Sequence, residues 1–383
     1  MTVAVAPRGR KVLHVISGLY RGGAETQLCR ILGAVDRRRF EAAVVSLVPG
    51  GGVRADLESL GVPVHCAGMT TVVNGPWAML RLARLIRRLR PDILQGWMYH
   101  GNLAASLGAA LARWHGPVLW NVRNSLNDLG TDERSTVALI RLGAWFSGGA
   151  AGILYNAHTS AEQHEAIGYC RHRRTVIPNG YDCDDFRPVH SARDNVRREL
   201  GLSPFVLLVG LVGRYHPKKG HGVFLEAAAH TAGERPDVHF LLAGRAVDRG
   251  NGRLGARIAA LGLTARVHLL GERFDLARIY SALDLLSTAS FNEGSPGVVG
   301  EAMACGTPCV VTDVGDAARV VGDTGTVVPP REPAELARAW MKLLSMSRDD
   351  RAALGHRARR RIEEHFSLAS TVRQYEALYE GLE

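Results

Sequence analysis

The residues best able to do chemistry lie in one run, Phe291-Asn292-Glu293-Gly294-Ser295-Pro296-Gly297-Val298-Val299-Gly300-Glu301-Ala302-Met303-Ala304-Cys305-Gly306. Gly294 and Gly297 carry no Cβ, so a ligand can approach the backbone closely. Pro296 suits the first turn of a helix. A helix starting here would present unbonded amides at its N-terminus, a site for an anion or polar ligand. Glu293 would then sit in the loop and Glu301 one to two turns into the helix, two depths from which carboxylates could accept hydrogen bonds from one ligand. The plainer reading makes Glu293 a turn residue and Glu301 a solvated helix residue. The small, apolar neighbours of Glu301 argue against it, because a solvated helix face carries polar company.

A second run, Gly210-Leu211-Val212-Gly213-Arg214-Tyr215-His216-Pro217-Lys218-Lys219-Gly220, follows a continuous apolar stretch. A strand, a glycine-containing loop and cations at a helix start are the parts of a phosphate cradle; arginine offers bidentate contacts and lysine a point charge. The spacing is not that of a P-loop, and a basic surface loop is the alternative. A third run, Gly18-Leu19-Tyr20-Arg21-Gly22-Gly23-Ala24-Glu25, could bring backbone near a phosphate or sugar at Gly22 and Gly23. It lacks the glycine spacing and the acidic residue of a dinucleotide site, which disfavours that reading. The six cysteines form no Cys-x-x-Cys pair, so neither a disulfide framework nor a zinc site is expected. Cys305 and Cys309 are expected as small buried hydrophobes.

These runs need strands and helices to place them. β-rich segments at 12–17, 43–48, 62–66, 92–96, 118–122, 152–156 and 175–178 alternate with helical patterns such as 24–34, 77–89 and 159–167. Such alternation predicts a parallel sheet covered by helices. The pattern breaks at Pro178-Asn179-Gly180-Tyr181-Asp182 and restarts with strands at 205–212, 238–243, 267–270, 285–289 and 308–312. A hinge is expected within 180–200. The expected organisation is a first Rossmann-like domain over 1–185, a second over 186–365, and a final helix over 366–383 that returns to the first.

A chain of 383 residues exceeds what one core usually serves. No apolar stretch reaches the roughly 18 residues of a membrane span, and the N-terminal residues lack a signal-peptide core; a cytoplasmic protein is expected. The net charge of +10 is uneven: residues 1–190 hold 22 Lys and Arg against 14 Asp and Glu, the rest 25 against 23. The first half therefore calls for an anionic partner, whether phosphate, acidic glycan or lipid head group. No motif for nucleic acid accompanies the charge. Arg81, Arg84, Arg87, Arg88 and Arg90 crowd between Leu82, Leu85, Ile86 and Leu89. That is either a basic surface against anionic lipid or a core-facing helix with a solvated basic face.

The three runs together resemble glycosyltransferase family 4, whose members have the α/β GT-B fold of two facing Rossmann-like domains. The resemblance extends from Gly18 to about Arg361. Its most specific part is Glu293 and Glu301 followed by Ala-Met-Ala-Cys-Gly-Thr-Pro-Cys-Val-Val-Thr-Asp-Val-Gly. Gly22-Gly23-Ala24-Glu25, Val176 to Asp182, Gly213-Arg214 with Lys219-Gly220, and Leu242-Ala243-Gly244 support it. Residues Gln95 to His100 look like the branch that builds bacterial surface polysaccharides and glycoconjugates.

The resemblance implies that Arg214 and Lys219 hold the diphosphate of a nucleotide sugar and that Glu301 binds the ribose. Glu293 and the backbone of Gly294, Ser295, Pro296, Gly297, Val298 and Val299 would hold the donor sugar. Gly22 and Gly23 would close over the diphosphate, the segment ending in Arg273 would meet the base, and His100 and Arg123 would face the acceptor. It implies retention of anomeric configuration, a UDP-hexose or UDP-N-acetylhexosamine donor, no metal and no further cofactor. The acceptor would be a glycan, a lipid-linked molecule or a small molecule, with a peripheral contact to anionic membrane. Two features depart from the pattern. Arg123 stands where many relatives have histidine, and Ser295 and Gly297 replace bulkier residues. Rival readings are an epimerase or phosphorylase on the same scaffold and a non-catalytic glycan-binding relative.

Overall fold

The computed structural model describes residues 9–70, 74–126 and 134–382, which divide into two compact units, Met1–Gly180 with Leu368–Glu383, and Tyr181–Ser367. The first contains seven strands: β1 (Arg10–Ile16), β2 (Phe40–Ser46), β3 (Val64–Cys66), β4 (Ile93–Trp97), β5 (Val118–Val122), β6 (Gly152–Tyr155) and β7 (Arg174–Val176). They pair in parallel in the order β3-β2-β1-β4-β5-β6-β7. The second contains β8 (Leu207–Val212), β9 (Val238–Ala243), β10 (Val267–Leu269), β11 (Leu285–Ser287), β12 (Cys309–Thr312) and β13 (Gly325–Val328), in the order β10-β9-β8-β11-β12-β13. Every pairing here is parallel too. Each expected strand is present, and β13 is an addition. Four residues beside β12 at the sheet edge gave too short an apolar run to read.

The central strands are apolar throughout because helices cover both faces. In β1, Val12 and Ile16 join a core with Leu28, Ile31, Trp97 and Tyr375, while Leu13 and Val15 join one with Leu82, Ile86 and Ala105 on the opposite face. Alternate side chains of one strand thus feed two cores. The order of strands reverses between β1 and β4 and again between β8 and β11. Helices leave in opposite directions at those points, which opens a crevice at the carboxyl ends of the strands.

The chain passes between units at Gly180–Tyr181 and Ser367–Leu368, not at 185 and 365. Packing sets these positions. Tyr181 is fully buried in the second unit's core, its amide bonded to Phe366 O at 2.9 Å. Gly180 lies so close to Leu368 and Thr371 that a Cβ would stand 2.9 Å from each. The Leu368–Glu380 helix is built onto the first unit: Tyr379 Oη donates to Gln95 Oε1 at 2.5 Å, Asn121 Nδ2 donates to Tyr375 Oη at 2.9 Å, and Arg39 pairs with Glu376 at 3.1 Å.

The second unit encloses a charge cluster. Asp284, just ahead of β11, accepts from Arg193 and Arg197 at 2.7 Å each and from the Leu208 amide at 2.9 Å. Arg197 is 1% exposed and Asp284 6%. Burial pulls the Arg197 pKa down to about 10, against the attraction of Asp284. Cys305 and Cys309 are buried as expected, and burial pushes the Cys305 thiol up to about 12. Removing the carboxylate would leave a buried guanidinium uncompensated, which costs about 3–5 kcal/mol. Asp284→Ala is therefore expected to lower the thermal midpoint of the second unit by several degrees. An unchanged midpoint in calorimetry would show that the cluster contributes nothing.

Candidate active site

At the second unit's switch point, two loops are drawn together. The β8 loop turns through a short 3-10 segment, Pro217–Lys219, and Gly220 follows at φ 65°. A Cβ on Gly220 would lie 1.9 Å from Ala289 O in the β11 loop, so only glycine fits. The Phe291 amide donates to Lys218 O at 2.8 Å across the same seam. This contact sets the side chains face to face: Lys219 Nζ reaches Glu293 Oε1 at 2.5 Å, and Ser290 Oγ donates to that oxygen at 2.8 Å. Ser290 is itself held, its carbonyl accepting from Thr312 Oγ1 at 2.8 Å. Lys219 and Glu293 are partly open, their side chains 25% and 15% exposed. An entering anion can therefore compete with Glu293 for the lysine.

Glu301 lies deeper, 8% exposed, and Tyr280 Oη donates to its Oε2 at 3.0 Å. Its helix is Gly297–Ala304, and Pro296 is the residue before it, in extended conformation with ψ 108°. Pro296 therefore caps the helix instead of occupying the first turn. Its carbonyl accepts from Tyr181 Oη at 3.4 Å and the Val299 amide at 3.2 Å, which leaves its ψ no helical freedom. Gly294, Pro296 and Val299 are buried, whereas Ser295, Gly297 and Val298 are half-buried. Arg214 is exposed directly after Gly213, whose carbonyl would lie 2.2 Å from a Cβ on Gly244 (φ 147°). Arg273 stands apart from this group. Its guanidinium is bonded to Asp275 and Glu199, each at 2.8 Å, and Arg278 completes the network. Those hydrogen bonds, Asp275 first, hold Arg273 above the usual arginine range and Asp275 well below the usual carboxylate range.

The first unit gathers its own set. Gly22, extended and exposed, caps the Gly23–Ala34 helix, and Gly23 is exposed as well. Arg123 follows β5 with its guanidinium 5.4 Å from the centre of the Trp97 ring. It donates to Asn179 Oδ1 and, at 3.4 Å, to Tyr375 Oη of the last helix. Beneath, Trp97 Nε1 donates at 3.1 Å to Nδ1 of His14, which burial lowers to about 3 and keeps neutral. His100 is exposed near the start of the Met98–Ala112 helix, on the wall of a cavity of about 700 Å³. Met98 has φ 60°, a strained value for a residue with a side chain. In the arginine-rich Gly75–Leu89 helix, Ala78, Leu82, Ala83 and Ile86 are buried while Arg81, Arg84, Arg87 and Arg88 are exposed. Arg87 donates to the carbonyls of Leu111 and Ala112.

Two family profiles match the chain, one described as Glycosyltransferase Family 4 over residues 21–185 and one as Glycosyl transferases group 1 over residues 207–346. The chain belongs to glycosyltransferase family 4. Among curated relatives of this family 4 chain, the D-inositol 3-phosphate glycosyltransferase of Rhodococcus erythropolis is 35% identical over 191 residues, 48% of this chain and 43% of that protein. The Mycobacterium sp. (strain KMS) protein of the same name is 35% identical over 216 residues, 54% and 48% of the two chains. The matched part thus spans about half the length of these relatives. Among solved structures, Anabaena HepE in complex with UDP superposes with TM-score 0.84 at 23% identity, covering 97% of this chain and 100% of that one. The sucrose-phosphate synthase of Thermosynechococcus elongatus gives TM-score 0.80 at 19% identity, covering 97% and 98%. These likenesses confirm the GT-B fold class.

In this family 4 chain, sequence reading missed Ser290 and Tyr280, which hold the two glutamates, and Gly315, which backs the loop. Ser290 and Tyr280 carried no signal, since their contacts are tertiary. Gly315 was visible as a glycine soon after a strand. It has φ 57°, and a Cβ there would lie 2.2 Å from the carbonyls of both Glu293 and Gly294. Gly315→Ala is therefore expected to displace the 291–297 loop and raise its amide exchange at least tenfold, with the remaining sheet protected as before. Exchange unchanged in 291–297 would show that the loop does not depend on this contact.

Proposed function

We propose that the chain is a retaining, metal-independent glycosyltransferase that moves a hexosyl or N-acetylhexosaminyl group from a nucleotide-diphosphate sugar, UDP-linked by preference, to an acceptor hydroxyl. The observation that carries this reading is the Lys219–Glu293 pair at 2.5 Å, in the same switch-point crevice that Arg214 borders and into which the Glu301 helix opens. The solved HepE structures hold UDP and UDP-glucose, which supports the same donor class. In this reading residues 186–365 bind donor, residues 1–185 serve the acceptor, and Gly22 and Gly23 meet the diphosphate. The base rests on backbone near Gly271, since the Arg273 side chain is engaged by Asp275 and Glu199. The enzyme works at the cytoplasmic side of a membrane, where the exposed Arg81, Arg84 and Arg88 face anionic lipid.

The chemistry follows from charge. As the bond between the anomeric carbon and the phosphate oxygen breaks, negative charge grows on the leaving diphosphate. Cations placed in advance stabilise that transition state more than the ground state. Lys219, now neutralised by Glu293, turns its charge to the diphosphate when donor enters. That frees Glu293 to accept hydrogen bonds from sugar hydroxyls. Arg214 adds the second cation, so no metal is required. The acceptor oxygen bonds to the anomeric carbon on the face the phosphate leaves, and its proton passes to the phosphate. Glu293 is thus no half of a glycosidase carboxylate pair. Arg123, held by Asn179 and Tyr375, presents a cation to an acidic sugar or acceptor. The names of the curated relatives point to a phosphorylated inositol as one acceptor class, and the Gln95–His100 segment points to glycoconjugate synthesis.

Lys219→Ala is expected to reduce turnover about a hundredfold, the scale of one major transition-state contact. A folded variant that turns over UDP-sugar at near-normal rate would remove the lysine from the mechanism.

The two glutamates are expected to fail differently. Glu301→Gln should weaken UDP and UDP-sugar alike, because ribose contacts exist before and after reaction. Glu293→Gln should damage transfer and sugar selection while UDP affinity is nearly kept. Titration calorimetry with UDP beside steady-state kinetics separates the two; the reverse pattern would invert the assigned geometry.

A further inference from the structure

The cavity beside His100 has a lining unlike that of a site for a polar ligand. Val48, Met69, Ala138, Leu139 and Leu142 form most of its wall. Thr70, Ser135 and His100 are its polar members, and among the described residues no lysine, arginine, aspartate or glutamate lines it. At about 700 Å³ it falls within the range of small-molecule sites. A free inositol phosphate would find no cation there.

The apolar surface does not stop at the cavity. The Arg134–Phe146 helix turns Ile140 and Gly143 inward, Gly143 so tightly that a Cβ would stand 2.3 Å from Tyr169 Oη. Its other face carries Ala138, Leu142 and Trp145 at spacings of four and three, one stripe leading out of the cavity. Leu142 is 47% exposed, Trp145 89% and Phe146 58%. Contiguous apolar exposure of this kind marks a binding surface.

A cationic cavity of about 250 Å³ adjoins it, lined by Arg81, Arg84 and Arg88 with Cys66 and Leu85. None of these arginines has a carboxylate partner among the described residues. The segment after β3 joins the two cavities: Cys66 lines one, Met69 and Thr70 the other. Between them Gly68, at φ 77°, leaves room for Arg81, whose Nη1 would be 2.6 Å from a Cβ.

We infer that the first unit takes an amphiphilic acceptor, its hydrocarbon portion in the apolar cavity and along Leu142 and Trp145, its anionic group on Arg81, Arg84 and Arg88. The word acceptor rests on the transferase reading; the binding site does not. Charge complementarity and the unbroken apolar stripe both call for an anionic lipid-like molecule over a free polar sugar phosphate.

The test is titration calorimetry of the full chain with decyl phosphate below its micellar concentration, beside inositol 1-phosphate and UDP. Decyl phosphate is expected to bind at least tenfold more tightly than inositol 1-phosphate. Leu142→Glu and Ala138→Trp, both at exposed helix positions, are each expected to weaken decyl phosphate at least tenfold and leave UDP unchanged. Arg84→Glu with Arg88→Glu should do the same. Equal affinity for the two phosphates, or decyl phosphate binding indifferent to Leu142→Glu and Ala138→Trp, would overturn the inference. So would binding to phosphatidylglycerol vesicles without binding of monomeric decyl phosphate, which would make this face a bilayer contact. Failure of the wild-type chain to bind UDP would sink the transferase reading alone.

Discussion

The crevice of the second unit depends on one backbone contact, Gly220 against Ala289 O. The β8 and β11 loops leave neighbouring strands and would diverge if a side chain stood between them. Because Gly220 has none, the loops close until the Phe291 amide bonds Lys218 O. Lys219 and Glu293, far apart in sequence, then meet at 2.5 Å. The same device recurs around it. Gly244 admits the Gly213 carbonyl and so fixes the backbone from which Arg214 projects, and Gly315 admits the carbonyls of Glu293 and Gly294. Three left-handed or otherwise glycine-only conformations thus bring backbone close enough for charged side chains to converge.

Convergence creates an electrostatic tension that suits a binding site. A lysine and a carboxylate in partial contact with water gain little stability from each other, so the pair contributes little to holding the fold together. Its worth lies in readiness: an arriving anion exchanges partners with Glu293 without a bare buried charge appearing on the way. Glu301 shows the complementary case. It is nearly buried, and Tyr280 satisfies one oxygen, which orients the carboxylate before any ligand arrives. The Asp284 cluster differs from both, since it is closed on itself and serves the core.

The first unit uses the C-terminal helix in a comparable way. Tyr375 and Tyr379 reach across the sheet ends to Asn121, Arg123 and Gln95. The last residues of the chain therefore help aim a cation that follows the fifth strand. Arg123 packs over Trp97, which bonds a neutral His14 buried by β1. The result is a cation steadied by aromatic and amide contacts with no carboxylate in direct contact.

The sequence by itself determined the class of fold and the address of the chemistry. Apolar runs of strand length alternating with helical patterns can only bury both faces as parallel sheets. The motifs after β1, β8 and β11 fall at the carboxyl ends of strands that flank the order reversals. Spacing alone placed Glu301 on a helix and Glu293 in the loop before it. Tertiary structure decided the rest, because it concerns contacts between residues remote along the chain. Nothing local told that Lys219 bonds Glu293, that Ser290 and Tyr280 hold the glutamates, or that Asp275 and Glu199 occupy Arg273. Nor did the sequence show Pro296 outside its helix, since the Tyr181 hydroxyl that meets its carbonyl comes from another part of the chain. The unit boundary moved to Gly180–Tyr181 for the same reason: side-chain burial, not composition, decides which core claims a residue.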